Sequence, residues 1–152
     1  MIVYRVARSK YARDLTGEGA RLNGGRWNHK LTACIYTSQN RALAVLEYTV
    51  NVNIDDIPRA LSITTIEIRD KDIQIVNVED LPGNWNVAPA PSSTKDFGTE
   101  LLVAAASPVI RYPSSLIPDE FNFILNPLHP DSKNFTILDT RDFTYDVRIK
   151  TV

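Results

Sequence analysis

The chain holds 152 residues, with 17 Lys+Arg against 18 Asp+Glu, a net charge of −1, one Cys, six Gly and nine Pro. That length suits one core burying roughly 68–70% of the unfolded surface, so a single domain over 1–152 is expected, and ordinary hydrophobic (43%) and charged (23%) fractions disfavour disordered and fibrous classes. Cys34, standing alone, excludes an internal disulfide and a Cys-rich zinc site, and the near-zero net charge argues against a dedicated nucleic-acid binder.

Residues 2–6 read as a strand, with Ile2, Tyr4 and Val6 on one face and Val3 and Arg5 on the other. This start lacks the apolar region of a secretory signal, and the longest apolar run, Leu101 to Ala106, is too short for a bilayer, so a cytoplasmic protein without membrane contact is expected. Residues 9–30 show no period and hold four of the six glycines; a long loop is expected there, and such loops are often functional. A second strand over 33–37 precedes Ser38 and Asn40, either of which suits a helix cap. The helix should run to about residue 50 with Ala42, Val45, Leu46 and Val50 as its apolar stripe. Glu47 falls at the margin of that stripe, four residues after Leu43.

Alternation over 59–68 and 72–78 predicts two more strands, and Pro82-Gly83 a turn. Ser92, Ser93 or Thr94 is placed to cap a helix reaching residue 106, with Phe97, Leu101, Ala104 and Ala105 facing inward and Pro108 ending it. Strands over 109–112, 121–125 and 135–138 complete the chain. Strands outnumber helices without alternating with them, so the fold class is α+β, a compact mixed domain with a β-rich core.

The charge is unevenly spread: residues 1–50 hold eight basic and three acidic groups, the remainder nine and fifteen. A basic, glycine-rich first third suits an anion. Neither usual nucleotide loop is present, since Gly17-Glu18-Gly19-Ala20-Arg21 continues to Leu22 where a dinucleotide fingerprint needs glycine, and no Gly-Lys-Ser/Thr occurs. His29 and His129 stand apart without metal-ligand spacing, and Cys34 reads as a buried thiol. What survives is Gly24-Gly25-Arg26-Trp27-Asn28, where paired glycines admit a ligand and Arg26 offers a fork matching phosphate oxygens. Trp27 would either stack on a base or anchor the loop. Tyr36 and Glu47 follow ten and twenty-one positions after Arg26.

These residues carry a family resemblance. Tyr4-Arg5-Val6, Gly24-Gly25-Arg26-Trp27-Asn28, Tyr36-Thr37-Ser38, Ala42-Leu43 with Glu47, Pro113-Ser114 followed by Pro118-Asp119-Glu120-Phe121-Asn122, and Asn126-Pro127-Leu128-His129-Pro130-Asp131 stand in the order found in RES-domain proteins, toxins of bacterial toxin–antitoxin pairs. The chain resembles that family over essentially its whole length. The resemblance implies a fold related to ADP-ribosyltransferase toxins, NAD⁺ as substrate with no prosthetic group and no metal, and a helix-turn-helix antitoxin that blocks the active site, with DNA met only through it. A homodimer is also implied. Arg26, Tyr36 and Glu47 match the family's catalytic trio, while Arg5, Ser114 and Asn122 match positions that bind NAD⁺; Ser115 is the second candidate for the serine. A carboxylate beside the ribose would stabilise the positive charge that grows as nicotinamide leaves. Water, phosphate and a protein side chain all remain open as acceptor. The competing readings are a non-catalytic partner-binding domain and an RNA-cutting toxin, the latter opposed by the net acidity.

Overall fold

The computed structural model describes residues 1–58 and 60–150. Its frame is a seven-stranded sheet with three helices. The strands are β1 (Ile2–Arg8), β2 (Ile35–Ser38), β3 (Leu61–Glu67), β4 (Ile73–Ile75), β5 (Val109–Pro113), β6 (Phe121–Leu125) and β7 (Thr136–Phe143), and the helices are α1 (Glu18–Asn23), α2 (Arg41–Asn51) and α3 (Ser92–Ala104). The sheet runs β4-β5-β6-β2-β1-β3-β7, antiparallel except for β4 beside β5. The mixed α+β class is therefore as expected.

Period-2 alternation divides the interior into two cores. Val3, Ile35, Ile66, Val109, Phe123 and Leu125 fill one face. Trp27, Cys34, Leu102, Ile110, Tyr112 and Ile124 fill the other, with Tyr36 and Trp85 packed against them. Cross-strand partners share a face, so the pairs Tyr4–Ser38, Ser38–Asn122, Tyr112–Asn122 and Tyr36–Ile124 place their polar groups on the second face too.

One junction in the sheet differs from the rest. β1 pairs with β3 over seven positions from Ile2 to Arg8, but with β2 only at Tyr4 and Ser38. Beyond that pair the two strands separate, and a wedge opens between them.

Several expectations are corrected here. Within the stretch 9–30, Glu18–Asn23 is helical, closed by Gly24 at φ +71, so the segment is only partly loop. The buried residues of α2 are Leu43, Ala44 and Thr49, while Ala42 and Val50 are exposed; the helix is rotated toward its Leu43 side, and Glu47, one turn on, turns inward with it. Asn40 is its cap, accepting from the Leu43 N–H at 2.7 Å. In α3 the buried residues are Thr94, Gly98 and Leu102; Phe97 and Leu101 pack half-buried against the same core as expected, while Ala104 is exposed and Ala105 lies past the end of the helix. The helix starts after Pro91 with no side-chain cap and stops at Ala104, where Ala105 takes a left-handed conformation at φ 49. Arg59, where the third strand was expected to begin, lies outside the described residues; β7 extends five residues past the expected end at 138.

Candidate active site

A cavity of about 990 Å³ opens at the wedge. Its walls come from β1, β2, α2, the turn 24–27, the segment 86–90 and the start of α3. Arg5, Arg26, Tyr36, Glu47 and Asn122 all line it, together with Ser115. Five of the six sequence-predicted residues thus share one cavity wall, and the sixth, Ser114, lies directly behind it.

Glu47 reaches this wall because α2 turns its Leu43 side to the sheet. Its Oε1 accepts from Asn122 Nδ2 at 2.6 Å and from Ser114 Oγ at 3.1 Å. Each donor is itself fixed. Ser114 is buried, and its oxygen accepts from the Leu116 and Ile117 N–H groups at 3.1 and 3.2 Å, so its own proton is directed at the carboxylate. Asn122 must turn its amide nitrogen toward a carboxylate that can only accept, and its Oδ1 then takes the Ser38 hydroxyl at 2.7 Å. Glu47 Oε2 makes no hydrogen bond to the described residues, leaving that oxygen available to a ligand.

The second half of the site is built around Tyr36. Its hydroxyl donates to Asn28 Oδ1 at 2.7 Å and accepts from the Trp27 N–H at 2.9 Å. Asn28, fully buried, donates through Nδ2 to the carbonyls of Ala20, His29 and Thr32. Gly25 has to be glycine for this closure, because a Cβ there would sit 2.5 Å from the Tyr36 oxygen. Burial pushes the Tyr36 phenol well above its ordinary pKa; neighbouring Cys34 adds to the shift and the Trp27 N–H opposes it. Burial likewise raises the Cys34 thiol to about 12, against the pull of the Tyr36 hydroxyl, so the thiol stays neutral as expected. Trp27 is the anchor of the two alternatives, stacking on Tyr112 with ring centroids 3.9 Å apart.

Arg26 follows from this turn. Its Nη1 donates to the Trp85 and Val87 carbonyls at 2.7 and 2.9 Å. Burial lowers its pKa, while the Glu47 carboxylate and Tyr36 raise it, so the two charges of the site sense one another. Arg5 borders the cavity at the gap between β1 and β2, with Nη1 donating to the Asp14 carbonyl at 2.7 Å. Sequence reasoning missed the parts played by Asn28, Ser38 and Lys95, another residue of the cavity wall. Asn28 and Ser38 were visible as the last residues of the motifs Gly24-Gly25-Arg26-Trp27-Asn28 and Tyr36-Thr37-Ser38; nothing in the sequence distinguishes Lys95.

The site is thus a mixed sheet split by a cavity that holds a clamped carboxylate and two half-buried arginines. The same fold occurs in the crystal structure of the M. tuberculosis MbcT–MbcA toxin–antitoxin complex, with a TM-score of 0.75, 18% identity, and coverage of 94% of this chain and 84% of that one. The RES domain model matches residues 2–146, and the chain belongs to that family. It is 38% identical over 152 residues to a protein of Yersinia enterocolitica named Toxin Res, covering 99% of this chain and all of that one. It is 34% identical over 146 residues to a Prs ADP-ribosylating toxin of a Sphingobium strain, covering 94% of this chain and 91% of the other. Among the described residues no helix is long and apolar enough to cross a membrane.

Proposed function

We propose that this chain is the toxin of a toxin–antitoxin pair and that it breaks the bond between nicotinamide and its ribose in NAD⁺. The observation that carries this reading is the Glu47 carboxylate, held by Ser114 and Asn122 in the same cavity as Arg26 and Tyr36. As the C1′–N bond breaks, its electron pair leaves with nicotinamide as a neutral base and the ribose becomes oxocarbenium-like. A carboxylate whose position is already fixed stabilises that charge without reorganising. Glu47 Oε2 is the group for this, or for a ribose hydroxyl. Tyr36 supplies its ring rather than its hydroxyl, because the hydroxyl is engaged on both sides. Arg26 and Arg5 pair with the phosphates, and Ser114 acts through Glu47 rather than on the ligand.

Attack at C1′ by water would give ADP-ribose and a proton; attack by phosphate would give the 1-phosphorylated sugar. A protein side chain as acceptor is the second reading, favoured by the Sphingobium relative named for ADP-ribosylation. The cellular partner is a helix-turn-helix antitoxin and the setting is the cytoplasm, with a homodimer as the assembly. Incubating purified protein with NAD⁺, with and without phosphate, and weighing the products by mass spectrometry tests activity and acceptor together. Glu47→Gln should reduce nicotinamide release by about 10²–10³-fold, as loss of one preorganised electrostatic contact does. Undiminished release in that variant would remove Glu47 from the chemistry.

A further inference from the structure

We propose that Lys95 binds the substrate's diphosphate and so makes the cavity selective for dinucleotides over unphosphorylated nicotinamide ribosides. This rests on the reading of NAD⁺ as substrate and names a recognition group for it. Among the described residues the cavity is lined by three cationic side chains, Arg5, Arg26 and Lys95, and one anionic side chain, Glu47. That excess of positive charge suits a ligand with a dianionic link beside a cationic ring.

The three cations are not equally free. Arg5 spends a donor on the Asp14 carbonyl, and Arg26 Nη1 bridges the carbonyls of Trp85 and Val87. Lys95 has no hydrogen bond or ion pair with any described residue. Its own helix offers none: Ser92 and Pro91 lie one turn before it, Gly98 and Thr99 one turn after, and no acid stands at helical spacing. The adjacent Asp96 is engaged by His29, whose Nε2 lies 2.6 Å from its Oδ1. The position itself is well anchored, since Thr94 and Gly98 on either side are buried against the core. Lys95 is thus a half-buried side chain at a cavity wall with no acceptor among the described residues, and an anion entering that cavity supplies one.

ADP-ribose, which carries the diphosphate but no nicotinamide, is the probe that separates binding from cleavage. Lys95→Ala should weaken its binding by about tenfold in calorimetry, and Lys95→Arg should restore most of it. The gap between wild type and Lys95→Ala should narrow as salt is raised. With NAD⁺ as substrate, Lys95→Ala should raise KM by about the same tenfold and leave kcat within about twofold, the signature of lost ground-state binding. Cleavage of nicotinamide riboside, which has no phosphate, should be the same in both proteins. An unchanged ADP-ribose affinity in Lys95→Ala, or equal losses on NAD⁺ and the riboside, would overturn the proposal. Lys95-dependent binding of ADP-ribose by a protein that leaves NAD⁺ intact would uphold it while refuting the cleavage reading.

Discussion

Tyr36 carries the most information per residue in the site. Its hydroxyl has one proton and spends it on Asn28, and the lone pair it offers is taken by the Trp27 N–H. Burial holds the phenol protonated far above its ordinary range, so ionisation of Tyr36 contributes no limb to a pH–rate profile at neutral or moderately alkaline pH. Tyr36→Phe should therefore leave the shape of the profile unchanged while lowering kcat/KM through a loosened Arg26 turn. Stability should fall by about 1–3 kcal/mol in urea titrations, because a buried donor and a buried acceptor lose their partner. An alkaline limb that disappears in Tyr36→Phe would instead make the hydroxyl an acid catalyst. At this scale the sequence was legible wherever a residue type announces chemistry: Arg26, Tyr36 and Glu47 stand in a recognisable order. The bonding roles of Asn28 and Ser38 were not, since a polar residue that binds backbone or another amide looks the same in sequence as one that binds water.

At the scale of elements, glycine explains why the most buried row of α3 lies beside its apolar one. Hydrophobic spacing pointed to Phe97 and Leu101, which do pack half-buried against the core, yet the fully buried row is Thr94, Gly98 and Leu102. A glycine contributes nothing to an apolar pattern, but its missing Cβ lets the helix lie against the Trp27 backbone: a Cβ on Gly98 would sit 2.1 Å from the Trp27 carbonyl oxygen. The two effects of Gly98→Ala have opposite signs. Helix propensity alone would favour alanine by about 0.5–1 kcal/mol, whereas forcing two backbones apart in a packed core costs about 1–3 kcal/mol or more. The clash should win, lowering the urea midpoint. Because Trp27 and Arg26 adjoin in the chain, nicotinamide release should drop with it. A Gly98→Ala protein as stable as wild type would mean that α3 can retreat without disturbing the turn. The strands were easier: β1, β5 and β6 follow their alternating residues to within a residue or two, because period 2 survives in short runs. α2 shows the limit of the method, since a rotation toward Leu43 turns a glutamate at the margin of the stripe inward, and the four apolar residues of the stripe do not decide it.

At the scale of the whole molecule, the junction of β1 and β2 is what turns a sheet into a container. Each strand is fully paired on its outer side, β1 with β3 and β2 with β6, so the wedge is held open by the rest of the sheet rather than by its own contacts. No sequence pattern marks such a gap, because both strands alternate normally on either side of it; only the pairing of Tyr4 with Ser38 and the absence of further partners reveal it. A ligand in the wedge then contacts both halves of the sheet, and binding to the folded form alone raises its stability by mass action. With Glu47→Gln to prevent turnover, NAD⁺ at about a hundred times its Kd should add about 2.7 kcal/mol. For a domain of this size that corresponds to a rise in Tm of roughly 5–10 °C. Hydrogen exchange should slow on β1 and β2 together, on both sides of the gap, rather than on β7 at the far edge of the sheet. Protection confined to one strand would place the ligand elsewhere on the protein, and a Tm that does not climb with NAD⁺ concentration would mean that NAD⁺ does not bind; either leaves the wedge without its occupant.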